Sequence, residues 1–137
     1  MGASDLGKRA AFGNRTRDLF LAAALQVVNT LRNRWCGAYW QAKGLTVIPT
    51  VSWGSGKSFD FCFAGIEQGG VVSVSTVGCK DARREFMRGY QEMLRAVRPE
   101  AVVCYGEPFE EMFGQSELVI VPYVRNQRIA TRLRGDA

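Results

Sequence analysis

Cys79 and Lys80 stand side by side just ahead of a segment with helical periodicity, and Glu107 follows the apolar run Ala101–Tyr105. A thiol at a helix start beside a lysine is the setting that makes a cysteine nucleophilic. Glu107, close to Glu110 and Glu111, offers a carboxylate for acid–base or metal work. Cys79, Lys80 and Glu107 are therefore the candidate catalytic residues. The chain contains no histidine. That removes Ser-His-Asp triads, Cys-His dyads and histidine-ligated zinc, and it leaves Cys79 without its usual base. A second group of polar residues falls where strands should end: Ser52, Trp53, Ser75, Thr76 and Tyr105. These are candidate ligand contacts, although Ser75 and Thr76 also suit plain ladder hydroxyls and Trp53 suits a lid over the core.

One phosphate-binding pattern fails. Gly54-Ser55-Gly56-Lys57-Ser58 ends like a P-loop, but Val51 stands where the first glycine is required. The following Phe59-Asp60-Phe61-Cys62-Phe63 also alternates as a strand does, which leaves no helix N-terminus to receive an anion.

The elements that must position these residues are legible from periodicity. Phe20, Ala24, Val28, Leu31, Trp35 and Tyr39 form one stripe of a helix that starts at Asn14 or Thr16 and ends near Ala42, with Gly44 as a left-handed cap. Leu45–Val51 reads as a buried strand, weakened by Pro49. Phe59–Phe63 reads as a short strand. Val71–Val77 is a strand, followed by a helix capped at Asp81 and stopped by Pro99. Its inward residues are Phe86, Tyr90, Met93, Leu94 and Val97. Ala101–Tyr105 is a continuous apolar strand, Pro108–Gly114 a helical turn, and Leu118–Tyr123 the last strand.

Strand, helix and strand from Val71 to Tyr105 make a βαβ crossover. The expected class is α/β, with a mostly parallel sheet of four to five strands and helices on its faces, part of a larger barrel-like or doubly wound fold. Ligands in such folds sit beyond the carboxyl ends of the strands. The expected organisation is a flexible segment over 1–13, one α/β domain over 14–124 and a basic tail over 125–137.

The net charge of +5 lies at the two ends. Residues 1–20 carry Lys8, Arg9, Arg15 and Arg17 against Asp5 and Asp18, and residues 125–137 carry four arginines against Asp136. Such ends can hold a phosphate backbone without sequence preference, or simply keep a domain soluble. With 47% hydrophobic residues the chain is not a disordered one. Cys36, Cys62, Cys79 and Cys104 contain no CxxC pair, so no metal site is expected, and most sit in apolar runs as reduced cytosolic cysteines do. The basic residues before Leu19–Ala24 imitate a signal peptide, but Asp18 abuts the run and the helical pattern continues to Trp40. No stretch reaches ~20 apolar residues, so no membrane span is expected. These features place the chain in the cytoplasm.

Several motifs resemble a known family. They are Arg32-Asn33-Arg34-Trp35-Cys36-Gly37-Ala38-Tyr39-Trp40-Gln41, Gly44 through Trp53, Ser58 through Phe63, Ser75-Thr76-Val77-Gly78 and Cys104-Tyr105-Gly106. This ordered string is similar to bacterial and phage proteins grouped as domain of unknown function 4417. The resemblance implies no established activity. It implies longer members, with strands ahead of the first matched helix and an acidic residue where Ala64 stands, so the chain resembles a truncated member. Arg32 and Arg34, carried by the pattern, are candidate anion contacts or anchors of the helix to a nearby loop. Three readings follow: an α/β domain with a small polar or anionic ligand at its strand ends, a nucleic-acid-associated accessory protein of a mobile element, or a remnant without activity.

Overall fold

The computed structural model describes the backbone of residues 3–123 and the side chains from residue 22 onward. The basic run 125–137 and the side chains of Lys8, Arg9, Arg15, Arg17 and Phe20 lie outside the described residues. The order of elements is α1 (Ala3–Ala42), α2 (Phe59–Cys62), β1 (Val71–Ser75), α3 (Arg83–Val97), β2 (Ala101–Tyr105) and β3 (Glu117–Val121). The strands form one parallel sheet in the order β1-β2-β3. The expected crossover is present: β1 and β2 pair from Val71 with Ala101 to Ser75 with Tyr105, and α3 connects them.

The core lies between one sheet face and α3. Val72, Val74, Val102 and Cys104 point from the sheet, and Phe86, Tyr90, Met93 and Val97 come down from the helix. Spacings of three and four residues put the helical set on one stripe, and alternation does the same for the strands. Arg98 closes α3 in a left-handed conformation ahead of Pro99. The other sheet face is largely open, with Val71, Tyr105, Val119 and Val121 exposed.

Five expectations are corrected. The sheet has three strands among the described residues, not four or five. Leu45–Val51 contributes only a parallel bridge from Thr50 to Ser73, because Pro49 has no N–H and can lend only its carbonyl to Ser73. Phe59–Phe63 is helical, since Phe59 and Phe63 stack one turn apart with centroids at 6.0 Å, a contact that strand alternation cannot make. α1 starts at Ala3, not at Asn14 or Thr16; Ala10 and Ala11 favour its continuation. Asp81 does not cap α3: it sits inside a 3-10 turn, Lys80–Ala82, and α3 begins after it without a side-chain cap.

The apolar stripe of α1 is not covered by the rest of the domain. It points outward: Val28, Leu31, Trp35 and Tyr39 are all exposed, Leu31 and Trp35 by 67% and 68%. The opposite, polar face turns toward residues 50–62. Arg34 fixes it there, as described below.

Tyr90 is fully buried, and its hydroxyl lacks a hydrogen-bond partner, as does the Ser116 hydroxyl. Burial pushes the Tyr90 phenol up, against a smaller opposing influence of nearby Ser116. A buried oxygen without a partner carries its desolvation cost uncompensated. Tyr90→Phe is therefore expected to leave stability unchanged or to raise it by about 1 kcal/mol in urea unfolding. A loss of 2 kcal/mol or more would show that the hydroxyl has a partner after all.

Candidate functional site

Because the three strands run the same way, their carboxyl ends meet at one rim. β1 leaves through Thr76 and Val77, β2 through Gly106 and Glu107, and β3 through Pro122 and Tyr123. With Lys80, Asp81 and Arg83 from the turn into α3, and Phe109 and Glu110 beyond β2, they line a hollow of about 990 Å³. The exits are tied together: Thr76 N donates to Tyr105 O at 3.1 Å, and Gly106 N donates to Val121 O at 2.9 Å. Gly106 is required here. Its φ is +108°, and a Cβ would come within 2.6 Å of Thr76 Oγ1.

The charges at this rim are paired. Lys80 Nζ lies 3.6 Å from Glu107 Oε2, with both side chains more than 80% exposed (81% and 83%). Such a pair contributes little to stability, so both groups remain open to a ligand. Arg83 grips Glu111 with two hydrogen bonds, Nε to Oε1 at 3.1 Å and Nη2 to Oε2 at 2.5 Å. This grip holds the Glu111 carboxyl below the usual carboxylate range and raises Arg83. The guanidinium also lies 5.4 Å from the Phe109 ring centroid. Glu107, Glu110 and Glu111 thus do not form a mutual carboxylate pair; two of them face cations instead. Among the described residues no cluster of three or more Cys, Asp or Glu is arranged to hold a metal.

All four cysteines are free. Cys79 is half-buried against the core, and its Sγ lies 3.8 Å from the carbonyls of Ser75 and Val77. Burial pushes the thiols of Cys62 and Cys104 up. A thiol so shifted is a poor nucleophile.

The candidates from the sequence divide between places. Thr76, Lys80 and Glu107 line the strand-end hollow, and Tyr105 packs edge-on against Tyr123 at 5.8 Å. Thr76 is buried, and its hydroxyl donates to Tyr105 O at 3.4 Å. Ser75 faces away from the core and accepts from Val77 N. Arg32 is exposed and lines neither hollow described here. Ser52, Trp53 and Arg34 belong to a second cleft, of about 350 Å³, between α1 and the 50–62 segment. Trp53 packs on Phe86, with ring centroids at 5.1 Å. Arg34 is spent on backbone: Nε donates to Ala64 O at 2.9 Å, Nη2 to Cys62 O at 2.8 Å and Nη1 to Thr50 O at 3.3 Å. Arg83, Phe109 and Tyr123 were not legible as rim residues, because only the fold brings Phe109 and Tyr123 back over the start of α3.

A short helix does follow Lys57, contrary to the strand expectation, yet the turn before it is closed on itself. Ser58 is buried, accepting from Gly54 N at 2.9 Å and donating to Ser55 O at 2.7 Å. Its hydroxyl is used within the turn.

A parallel sheet with a crossover helix and polar strand ends defines an α/β domain. Within that class the chain belongs to the family described as Domain of unknown function (DUF4417), whose model matches residues 17–123. It is 43% identical over 93 residues to the Gene 1 protein of Mycobacterium phage D29, covering 66% of this chain and 34% of the relative. It is 40% identical over 87 residues to the Gene 1 protein of Mycobacterium phage L5, covering 61% of this chain and 38% of the relative. The chain thus spans little more than a third of the length of the curated relatives it matches. No solved structure matches it. No helix among the described residues is long and apolar enough to cross a membrane.

Proposed function

We propose that this chain is a ligand-binding α/β domain whose strand-end hollow takes a small polar ligand. The observation that supports it is the convergence of three parallel strand exits on one hollow of about 990 Å³, within the size range of small-molecule sites. The charge balance favours a polar, zwitterionic ligand over a simple anion. Lys80 and Arg83 face Asp81, Glu107 and Glu110 across the hollow, and Arg83 is already held by Glu111. A ligand with one group of each sign replaces the loose Lys80–Glu107 contact with two of its own.

Thermal-shift titration of the purified chain with free amino acids and other zwitterions tests this, since a ligand that binds only the native state raises the melting temperature by mass action. Lys80→Ala and Glu107→Ala should each abolish the shift while leaving the unliganded melting temperature in place, because both side chains are exposed. No shift with any zwitterion, or an equal shift in both variants, would overturn the proposal.

A further inference from the structure

We propose that the second cleft, between the polar face of α1 and residues 50–62, binds a nucleobase. A surface helix ordinarily buries its apolar stripe and shows its polar one to water. α1 instead leaves its apolar stripe exposed and turns its polar face, itself largely exposed, to the cleft. Gln26, Asn29, Thr30 and Asn33 recur at the spacing i, i+3, i+4, i+7 on one face, and all four line the cleft. No hydrogen bond among the described residues uses the side chains of Gln26, Asn29 or Thr30, while Asn33 Oδ1 accepts from Arg34 at 2.7 Å and keeps its amide donors.

The chemistry of this lining selects the ligand. Among the described residues no carboxylate borders the cleft, which argues against an amine or a metal ion. Among the described residues its one cation, Arg34, is consumed by three backbone carbonyls and Asn33, which argues against an anion as the main contact. What remains is a row of carboxamides on α1 with the hydroxyls of Thr30, Thr50 and Ser52, groups able to donate and accept, and Phe61 on the 50–62 segment. Paired carboxamide donors and acceptors match the edges of a base, and an aromatic face suits its stacking. Phe59 and Phe63 stack on each other, and Phe61, together with Cys62, borders the cleft from the same short helix. Gly54 lets the Gln26 carboxamide close over its backbone; a Cβ there would fall 2.5 Å from Gln26 Nε2. At about 350 Å³ the space suits one base with part of its sugar. The same chemistry is offered by a free nucleoside and by a base in a single strand.

Isothermal titration of the full chain with adenosine, guanosine, cytidine and thymidine, each to millimolar concentration, is the test, with a hexose panel and a single-stranded decanucleotide as further arms. At least one nucleoside should bind, and Gln26→Ala and Asn29→Ala should each weaken it tenfold or more without shifting the melting temperature. Thr30→Val provides a third probe on the same face. If the decanucleotide binds more tightly than the nucleoside and loses affinity in the same variants, the source is a base in a strand; if it does not, the source is the free nucleoside. Absence of nucleoside binding, nucleoside binding that all three variants retain, or hexose binding in its place would overturn the proposal. Decanucleotide binding alone, retained in the variants and lost with salt, would also overturn it by locating the contact at the basic ends.

Discussion

Gly89→Ala is expected to lower stability by about 2–4 kcal/mol, although alanine is the better helix former. Gly89 is buried on the core side of α3, and a Cβ there would overlap Cδ1 and Nε1 of the Trp53 indole. The missing side chain is what allows Trp53 to settle beside Phe86 and 6.4 Å from Phe63. A methyl group at position 89 must displace the indole or lift the helix, and either opens the seam between α3 and the 50–62 segment. The expected loss corresponds to a fall in melting temperature of roughly 10 °C for a chain of this size. A double-mutant cycle isolates the cause. In a Trp53→Ala background the clash is gone, and Gly89→Ala should then stabilise by about 0.5–1 kcal/mol through helix propensity alone. Destabilisation by 2 kcal/mol or more in both backgrounds would place the constraint elsewhere.

Trp53 also shows how far a sequence can be read here. The βαβ unit was legible because every local signal agrees: alternation in Val71–Ser75, a single apolar stripe in α3, a proline after it and an unbroken apolar run in β2. The strand-end location of Thr76, Lys80 and Glu107 followed from that unit and is where the structure places them. The failures come from signals that local pattern alone cannot decide. Five residues with three phenylalanines satisfy period two, yet the Phe59–Phe63 stack needs a helical turn. For α1 the stripe was legible as a stripe, but not whether the rest of the domain covers it. Periodicity identifies two faces of a helix, and only the partners decide which is covered. Here the tethering contact is made by Arg34 on the polar side, through three carbonyls of the 50–64 segment that no sequence pattern marks as acceptors. The carboxamide row at Gln26, Asn29 and Asn33 had a signal of its own, the i, i+3, i+7 spacing, which the apolar stripe overshadowed.

The same tether supplies the second large effect. Arg34→Ala is expected to cost about 2–4 kcal/mol and to free α1 from the body of the domain. The side chain is half-buried, and desolvation lowers its pKa slightly against the opposing influence of Cys62. It remains charged at every working pH, because a guanidinium does not lose its proton in a protein. Truncation removes donors from the carbonyls of Ala64, Cys62 and Thr50 together. Lysine does not restore the arrangement: its ammonium offers a compact charge in place of a planar fork that serves three acceptors at once. Arg34→Lys should therefore recover less than half of the loss. Amide hydrogen exchange distinguishes this from a general weakening of the core. Protection should fall along residues 26–42 and 50–64 and persist in β1, β2 and α3, whose packing does not include Arg34. Uniform loss of protection across the sheet would mean that α1 is part of the cooperative core, and that its polar face is a structural seam instead of the wall of an open cleft.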